Sequence, residues 1–365
     1  MIIETENIHE LNYTNKCTNN SQNNQKILDK KQISTFENLM TYLTSKNNIL
    51  LKDFEINEFL EYGGESVVYK VLHRKTKKPF VCKFIYTKDN EKRNINELNI
   101  LNKLKNKNII NFYGLIEIEK NKLDCVIMEY GTLGNIKTFM EKTLKKSYLS
   151  ESLLCYFTFQ ILQALKYCHL CKICHFDIKP YNIIIDEFLN VKIIDFSISL
   201  DYNKIISKKI KTLFRGTNFY MSPEVLKTKT INIEDLNKVD IYSLGVTLYV
   251  LAFGCFPYFL KVEDNRDYEK IYNKIQNNNL EFDNKNNIFS PVFIDFLKKI
   301  LEKDIDKRIN IKQALNHEWM IAGNILFEEK EKMYNGSNFL IYLMTDNIFN
   351  FNKYLQEIEK SMKNK

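Results

Sequence analysis

A polar octapeptide, His175-Phe176-Asp177-Ile178-Lys179-Pro180-Tyr181-Asn182, runs directly into an isoleucine triplet at 183–185. A turn at 186–190 follows, then a second apolar run at 190–194 that delivers Asp195, eighteen positions after Asp177. Two short buried strands around a tight turn, with a polar loop before the first and a carboxylate behind the second, leave few folds open. The residue types also match one kind of chemistry. Metal-assisted phosphoryl transfer needs an acceptor for a hydroxyl proton, hard oxygen ligands for Mg²⁺ and a cation on the transferring phosphate. Asp177, then Asn182 with Asp195, then Lys179 supply these in that order. The plain alternative is a polar hairpin between buried strands with no chemistry attached.

Other segments narrow the choice. Upstream, Leu60-Glu61-Tyr62-Gly63-Gly64-Glu65-Ser66-Val67-Val68-Tyr69-Lys70 reads as strand, turn and strand. Lys83 follows fifteen residues after Val68, inside Phe80-Val81-Cys82-Lys83-Phe84-Ile85. Glu97 heads a helical pattern with Leu98, Leu101 and Leu104 at three-residue steps and Ile100 beside them. Downstream come Gly216-Thr217-Asn218-Phe219-Tyr220-Met221-Ser222-Pro223-Glu224, then Asp240-Ile241-Tyr242-Ser243-Leu244-Gly245, then Arg308. In this order, from about Phe54 to about Met320, the segments resemble the landmarks of eukaryotic protein kinases of the serine/threonine type. The segment ending at Glu224 and a helix expected near Leu301 to Trp319 look like calmodulin-dependent or MAP-kinase-kinase branches, in a divergent or orphan member. No calcium-binding loop of alternating Asp and Asn with a closing Glu occurs.

The resemblance implies an α+β, bilobal protein kinase fold. Its N-lobe, 53–130, would hold a five-stranded antiparallel sheet, with strands at 54–62, 66–73, 79–86, 112–119 and 124–129, plus the helix the family calls C. The C-lobe, 131–322, would be mainly helical, with Asn310-Ile311-Lys312-Gln313 capping one of its last helices. The resemblance also implies ATP as the phosphate donor, with Mg²⁺, or Mn²⁺ as the alternative ion. Asp177, Lys179 and Asn182 are then the catalytic residues, and Asn182 and Asp195 the metal ligands. Nucleotide-binding positions are Leu60, Glu61, Gly63, Ser66, Val68, Val81, Lys83, Glu97, Met128, Glu129, Gly131 and Ile184, with Lys83 and Glu97 forming the ion pair that holds the phosphates. Phe196, Thr217, Glu224, Asp240 and Arg308 are the structural and regulatory positions, with Glu224 paired to Arg308.

Several positions depart from the family pattern. In the phosphate cover the three glycine positions are filled by Glu61, Gly63 and Ser66, so only the middle one keeps unrestricted backbone geometry, and weaker ATP binding is expected. Val81 replaces the usual alanine over the adenine. Phe176 replaces the arginine before the catalytic aspartate, and a phenyl ring cannot hold a phosphate on the activation loop. Activity is therefore expected not to need activation-loop phosphorylation, although Ser207 and Thr212, near Lys208, Lys209, Lys211 and Arg215, are the phosphosites to test. Ser197 stands where the family has the glycine after Asp195-Phe196. Lys179 and Thr217 resemble the serine/threonine pattern, and Tyr181 occupies a position where basophilic kinases often carry glutamate. Two readings follow: an active kinase of protein serine and threonine hydroxyls, or a pseudokinase scaffold that binds nucleotide weakly and acts through protein contacts.

Length and composition agree with two lobes plus extensions, since 365 residues exceed the roughly 250–300 at which one core stops growing. The uncharged run at 241–260 contains Tyr242, Ser243, Gly245, Gly254 and Pro257, and falls where the family buries a helix, so no membrane span is expected. The net charge of +8 is spread along the chain, so a solvated surface rather than nucleic-acid binding is expected. The acidic start lacks an apolar signal core and a myristoylation glycine, which gives secretion and lipid anchoring no support. Eight cysteines lie mostly within strand and helix patterns, pointing to a reducing compartment: the cytoplasm, with nuclear access open. Cys171-Lys172-Ile173-Cys174-His175, with Cys168, has the spacing of a haem or zinc motif, but buried helix thiols explain it better.

Residues 1–52, rich in Asn, Lys and Gln, are expected to be mostly disordered apart from a short helix near 34–46 bearing Phe36, Leu39, Met40 and Leu43 on one face. The tail, 323–365, is expected to be helical and, with Phe327, Tyr334, Phe339, Tyr342 and Phe349, to pack on the kinase or a partner. A regulatory partner for either extension is the interaction this leaves open beyond the protein substrate.

Overall fold

Alternation with a period of two builds the first half of the molecule. In β2 (Ser66–His73), Val67, Tyr69 and Val71 are buried while the residues between them are half-buried, the signature of a strand with one face on a core. The structure, a computed structural model, describes residues 53–62, 66–86, 91–119, 123–203, 205–211, 215–227, 230–265, 267–282 and 289–332. The expected extension 1–52 with its helix near 34–46, Gly63, Thr212 and the tail beyond 332 lie outside them.

The chain divides into two compact units, one containing residues through Asn102 together with Ile110–Tyr130, the other Lys103–Ile109 with Gly131 onward. In the first, β1 (Phe54–Tyr62), β2, β3 (Pro79–Tyr86), β4 (Phe112–Glu119) and β5 (Leu123–Glu129) form an antiparallel sheet in the order β1-β2-β3-β5-β4. One face carries the core: Val67, Tyr69, Val71, Cys82, Phe84, Leu123, Cys125 and Ile127, with Phe54, Ile56, Phe80 and Ile116 against it. Rings meet edge to face, Tyr69 with Phe84 at 6.0 Å and Phe54 with Phe80 at 5.6 Å. Each fully buried side chain of this size is worth about 1.5–3 kcal/mol.

Helix α1 (Glu91–Lys103) buries Glu97, Ile100 and Leu101. Glu97 therefore sits in mid-helix rather than at its head. The residues before it, Glu91 to Asn96, are mostly polar and carry no apolar period, so the sequence pattern begins only at Glu97.

The second unit is mainly helical. The α-helices of five residues or more are α2 (Glu151–Leu170), α3 (Asn237–Phe253), α4 (Tyr268–Asn277), α5 (Pro291–Ile300), α6 (Ile311–Leu315) and α7 (Glu318–Lys332). Short antiparallel pairs join β6 (Ile173–Cys174) to β9 (Leu200–Asp201), β7 (Ile183–Ile185) to β8 (Val191–Ile193), and β10 (Lys209–Lys211) to β11 (Thr230–Asn232). Helix α3 is buried on nearly every face, which is why its sequence is apolar all round. It begins at Asn237, a turn before Asp240. Among the described residues, no helix is long and apolar enough to cross a membrane.

The stretch 301–319 is not one helix: it comprises a turn, the short α6 and the start of α7. Asn310 and Gln313 exchange hydrogen bonds across the first turn of α6, the reciprocal cap the sequence announces. Helix α7 runs unbroken past position 322, and Phe327 lies 6.2 Å from the Tyr156 ring and 5.6 Å from that of Phe159 on α2.

Candidate active site

The register of the first unit's sheet decides which side chains share a face. Val68 stands opposite Lys83, and Val81 opposite Met128, while Glu61 pairs with Val68 on the other side. Directly opposed residues and residues two apart along a strand point the same way, so Glu61, Val68, Val81, Lys83 and Met128 share the face opposite the core. Leu60 is exposed and Ser66 is half-buried. Glu129 holds the Asn111 amide at 2.7 Å.

Lys83 leaves this face toward α1, where its Nζ lies 3.0 Å from both Oε1 and Oε2 of Glu97. The pair is largely withdrawn from solvent, with side-chain exposures of 15% and 6%. At such burial an ion pair costs desolvation to form, and removing one partner strands the other. Its two-point geometry makes it a positioning device more than a source of stability.

In the second unit, β7 and β8 pair with Ile183 opposite Ile193 and Ile185 opposite Val191. Their turn is held by Asp186, which accepts from the Phe188 and Asn190 amides. The hairpin expected from sequence is present, and the polar loop opens from its end. Asp177, buried, is gripped from four directions. Oδ2 accepts from Lys179 Nζ at 2.8 Å and Asn182 Nδ2 at 2.9 Å, and Oδ1 from the Thr217 amide at 2.9 Å and hydroxyl at 2.8 Å. Lys179 Nζ also donates to Thr217 Oγ1 at 2.7 Å. These four donors fill the carboxylate's acceptor positions.

Asn182 Nδ2 donates to the Asp177 carbonyl as well, at 2.9 Å. Two acceptor partners on one terminal atom fix the amide orientation, because an oxygen could satisfy neither. Asn182 Oδ1 is thereby turned away from those acceptors, the disposition of a hard oxygen ligand. Asp195, two residues past β8, takes a left-handed backbone with φ 64°, a conformation aspartate tolerates better than most residues, and accepts from the Ser197 amide at 3.4 Å.

The loop is held from behind by one residue. Asp240 on α3 is completely buried and accepts the amides of His175 at 2.9 Å and Phe176 at 2.8 Å, as well as His169 Nε2 at 2.9 Å. Burial alone would push its carboxyl up, but the hydrogen bond and charge of His169, with the contribution of His175, outweigh this and hold it below the usual carboxylate range. Phe176 needs the anchor, since its φ of 70° is costly for a bulky side chain. Its ring is buried, with the Arg215 guanidinium 5.9 Å away.

Sequence reasoning leaves His175 without a role. Its Nδ1 accepts from the Asp177 amide at 3.2 Å and its Nε2 lies 3.0 Å from the Ile194 carbonyl, so the proton sits on Nε2 and the ring ties Asp177 to the strand leading into Asp195. Phe196, fully buried, meets the same ring edge on at 4.8 Å. Thr247 Oγ1, which donates to the Ile178 carbonyl at 3.0 Å, is a second residue the sequence does not single out. Nothing local marks it, whereas His175 is flagged by adjacency to the loop.

Gly216 has φ 112°, and a Cβ there would fall 2.5 Å from the Phe176 carbonyl oxygen. Gly131 is similarly tight, with a Cβ 2.8 Å from that of Ile184. Glu224 and Arg308 pair bidentately at 2.7 and 3.0 Å, both buried. Ser207 bonds its own loop, donating to the Lys209 carbonyl at 2.7 Å. Cys168 and Cys174 are buried and Cys171 half-buried, and burial pushes the Cys168 and Cys174 thiols well up. Among the described residues, no group of three His, Cys, Asp or Glu side chains could hold a metal ion.

Comparison with known proteins gives this geometry a context. The protein kinase domain family matches residues 54–320. The serine/threonine-protein kinase pakE of Dictyostelium discoideum is 30% identical over 270 residues, 73% of this chain but 27% of that protein. An Aurora kinase of Eremothecium gossypii is 32% identical over 290 residues, covering 76% of this chain and 72% of the relative. Myosin light chain kinase A of D. discoideum is 31% identical over 282 residues, 75% of this chain and 90% of the relative. The chain thus spans about a quarter of pakE and most of the other two.

Proposed function

The chain belongs to the protein kinase family, and from that premise we propose that it transfers the γ-phosphate of ATP to serine and threonine hydroxyls of protein substrates. The observation that carries this reading is the Asp177 carboxylate, held at fixed orientation by Lys179, Asn182 and Thr217. As the substrate oxygen forms its bond to phosphorus and the bond to the departing ADP oxygen breaks, the hydroxyl proton passes to Asp177. The acceptor must first displace one of the four donors on Asp177, and the Thr217 hydroxyl can turn away by rotation about one bond. Lys179 then places its ammonium beside the oxygens of the transferring group, where negative charge gathers.

Asp195 and Asn182 Oδ1 are oxygen donors that suit Mg²⁺, with Mn²⁺ the alternative. Such an ion, when bound, neutralises phosphate charge. Lys83, oriented by Glu97, is the residue to hold the nucleotide phosphates, and Val68, Val81 and Met128, on the same face, the apolar residues to receive the base. Glu61 and Ser66 at glycine positions favour weaker nucleotide affinity than a full glycine cover gives.

Phe176, buried and without a hydrogen-bond donor on its side chain, supports activity that needs no phosphate on the activation segment. The buried thiols of Cys82, Cys125, Cys155, Cys168 and Cys174 fit a reducing compartment, the cytoplasm. The decisive experiment compares radiolabelled phosphate transfer by the purified chain and by Asp177→Ala. Loss in the variant alone supports the enzyme, whereas no transfer by either favours a pseudokinase scaffold.

A further inference from the structure

The segment between Tyr202 and Asn232 holds seven basic residues, Lys204, Lys208, Lys209, Lys211, Arg215, Lys227 and Lys229, and one acidic residue, Glu224. Glu224 is buried and consumed by Arg308, so it offsets none of the surface charge. Lys227 is paired with Glu269, and Arg215 donates to the Ile198 carbonyl. Lys208, Lys209 and Lys211 are exposed and have no acidic partner among the described residues.

The β10–β11 ribbon fixes where two of these, Lys209 and Lys211, point. Ile210 pairs with Ile231, which is 4% exposed, so this pair anchors one face of the ribbon in the protein. Lys209 and Lys211, one position either side, must face the other way, opposite the uncharged Asn232 and Thr230. Cross-strand pairing thus leaves both ammonium groups unneutralised. Ser207 ties its hydroxyl to the Lys209 backbone, and the Ile233 amide donates to the Lys208 carbonyl at 3.0 Å, extending the pairing to Lys208. Lys209 and Lys211 repel on their shared face, Lys208 is exposed one position away, and no described carboxylate forms an ion pair with any of the three. Lys211 lies six residues before Thr217, the residue bonded to Asp177, so the chain between them spans at most about 21 Å, the length of about six extended residues.

We propose that this ribbon is a recognition surface for acidic protein substrates, selecting hydroxyls that have aspartate, glutamate or phosphorylated residues within about six positions. The inference rests on the kinase reading above and specifies its substrate class. Charge complementarity over exposed lysines acts mainly on encounter and binding, so it should appear in KM and weaken as salt rises.

The test uses the full chain and a panel of serine peptides of equal length with acidic, uncharged or basic flanks. Acidic peptides should be phosphorylated with kcat/KM about tenfold above uncharged ones, as a few exposed charge pairs allow, and added KCl should shrink the difference. The surface triple variant Lys208→Ala, Lys209→Ala, Lys211→Ala should lose the preference while keeping its rate on the uncharged peptide. Equal rates on acidic and uncharged peptides, or a preference the triple variant retains, would overturn the inference and leave the kinase reading standing. Binding to phosphatidylserine vesicles that depends on the three lysines, without a peptide preference, would also overturn it, making the ribbon a membrane contact. No transfer to any peptide by the wild-type chain would instead remove the kinase reading.

Discussion

Thr217 touches Asp177 twice, through its amide at 2.9 Å and its hydroxyl at 2.8 Å, across forty positions of sequence. The hydroxyl also accepts from Lys179, so one rotor links the proton acceptor to the cation beside it. Replacing Thr217 by valine keeps the amide bond and the shape but deletes this link. We expect kcat to fall about tenfold to a hundredfold, equivalent to about 1.4–2.7 kcal/mol, with a smaller change in KM. Thr217→Ser should recover most of the loss. Steady-state kinetics on one peptide would read this, and an unchanged kcat in the valine variant would contradict it.

Gly216 cannot be replaced without moving the Phe176 carbonyl, which lies where a Cβ would go, and its φ is unfavourable for any other residue. Gly216→Ala is expected to cut activity by about a hundredfold or more, because displacing a loop by even an ångström misplaces reacting groups. Its effect on thermal stability should be much smaller than its effect on rate. Paired measurement of the melting midpoint and kcat distinguishes this local effect from general unfolding.

Glu224 and Arg308 form a buried bidentate pair. Removing one member leaves an uncompensated charge inside the second unit, a penalty of about 3–5 kcal/mol. Arg308→Ala should therefore lower the melting temperature by about 10 °C. Differential scanning calorimetry would check it, and a shift of a degree or two would mean that water reaches the stranded carboxylate.

Asp264 is 1% exposed yet ionised, and its carboxyl is pulled down to about 2 by hydrogen bonds and charge from Lys274, the Lys261 amide and Lys270, which outweigh the upward push of burial. Its pKa is lower in the folded than in the unfolded chain, so its stabilisation is complete above the unperturbed carboxyl value of about 3.9 and is lost as pH falls through about 2. Melting temperature followed from pH 7 downward should fall below about pH 4. The Asp264→Asn variant should melt lower at neutral pH and lose less on acidification. Parallel curves for the two proteins would refute this.

Ser207 and Thr212 provide the last test. If Phe176 frees the enzyme from control by an activation-segment phosphate, the double alanine variant should retain its specific activity within about twofold, since no guanidinium waits for the modification. A phosphatase-treated sample should behave alike. Abolished activity in a folded double variant would show a dependence that Phe176 cannot explain.

Much of this architecture is legible in the amino-acid sequence. Strands β1 to β4 fall at the expected positions, and β5 begins one residue earlier than expected, because alternation along a strand and the turns that end it are properties of neighbouring residues. The cap at Asn310 is equally local. Mid-helix placement of Glu97 is less legible, since its polar first turns look like loop. The 301–319 stretch misleads for the opposite reason, because its apolar residues belong to separate elements facing one core.

What the order of residues determined alone is the chemical inventory: an acceptor carboxylate, a lysine, a carboxamide and a second carboxylate, set around apolar runs that had to become buried strands. What only the tertiary structure decided is which atoms meet. That Asp240 holds the amides of His175 and Phe176, that His175 carries its proton on Nε2, that Val68, Val81 and Lys83 share the face opposite the core, and that Lys209 and Lys211 point outward all depend on strand register and helix packing. Most of these contacts join residues many positions apart, and their geometry is fixed by burial of the elements between them rather than by any local preference of the chain.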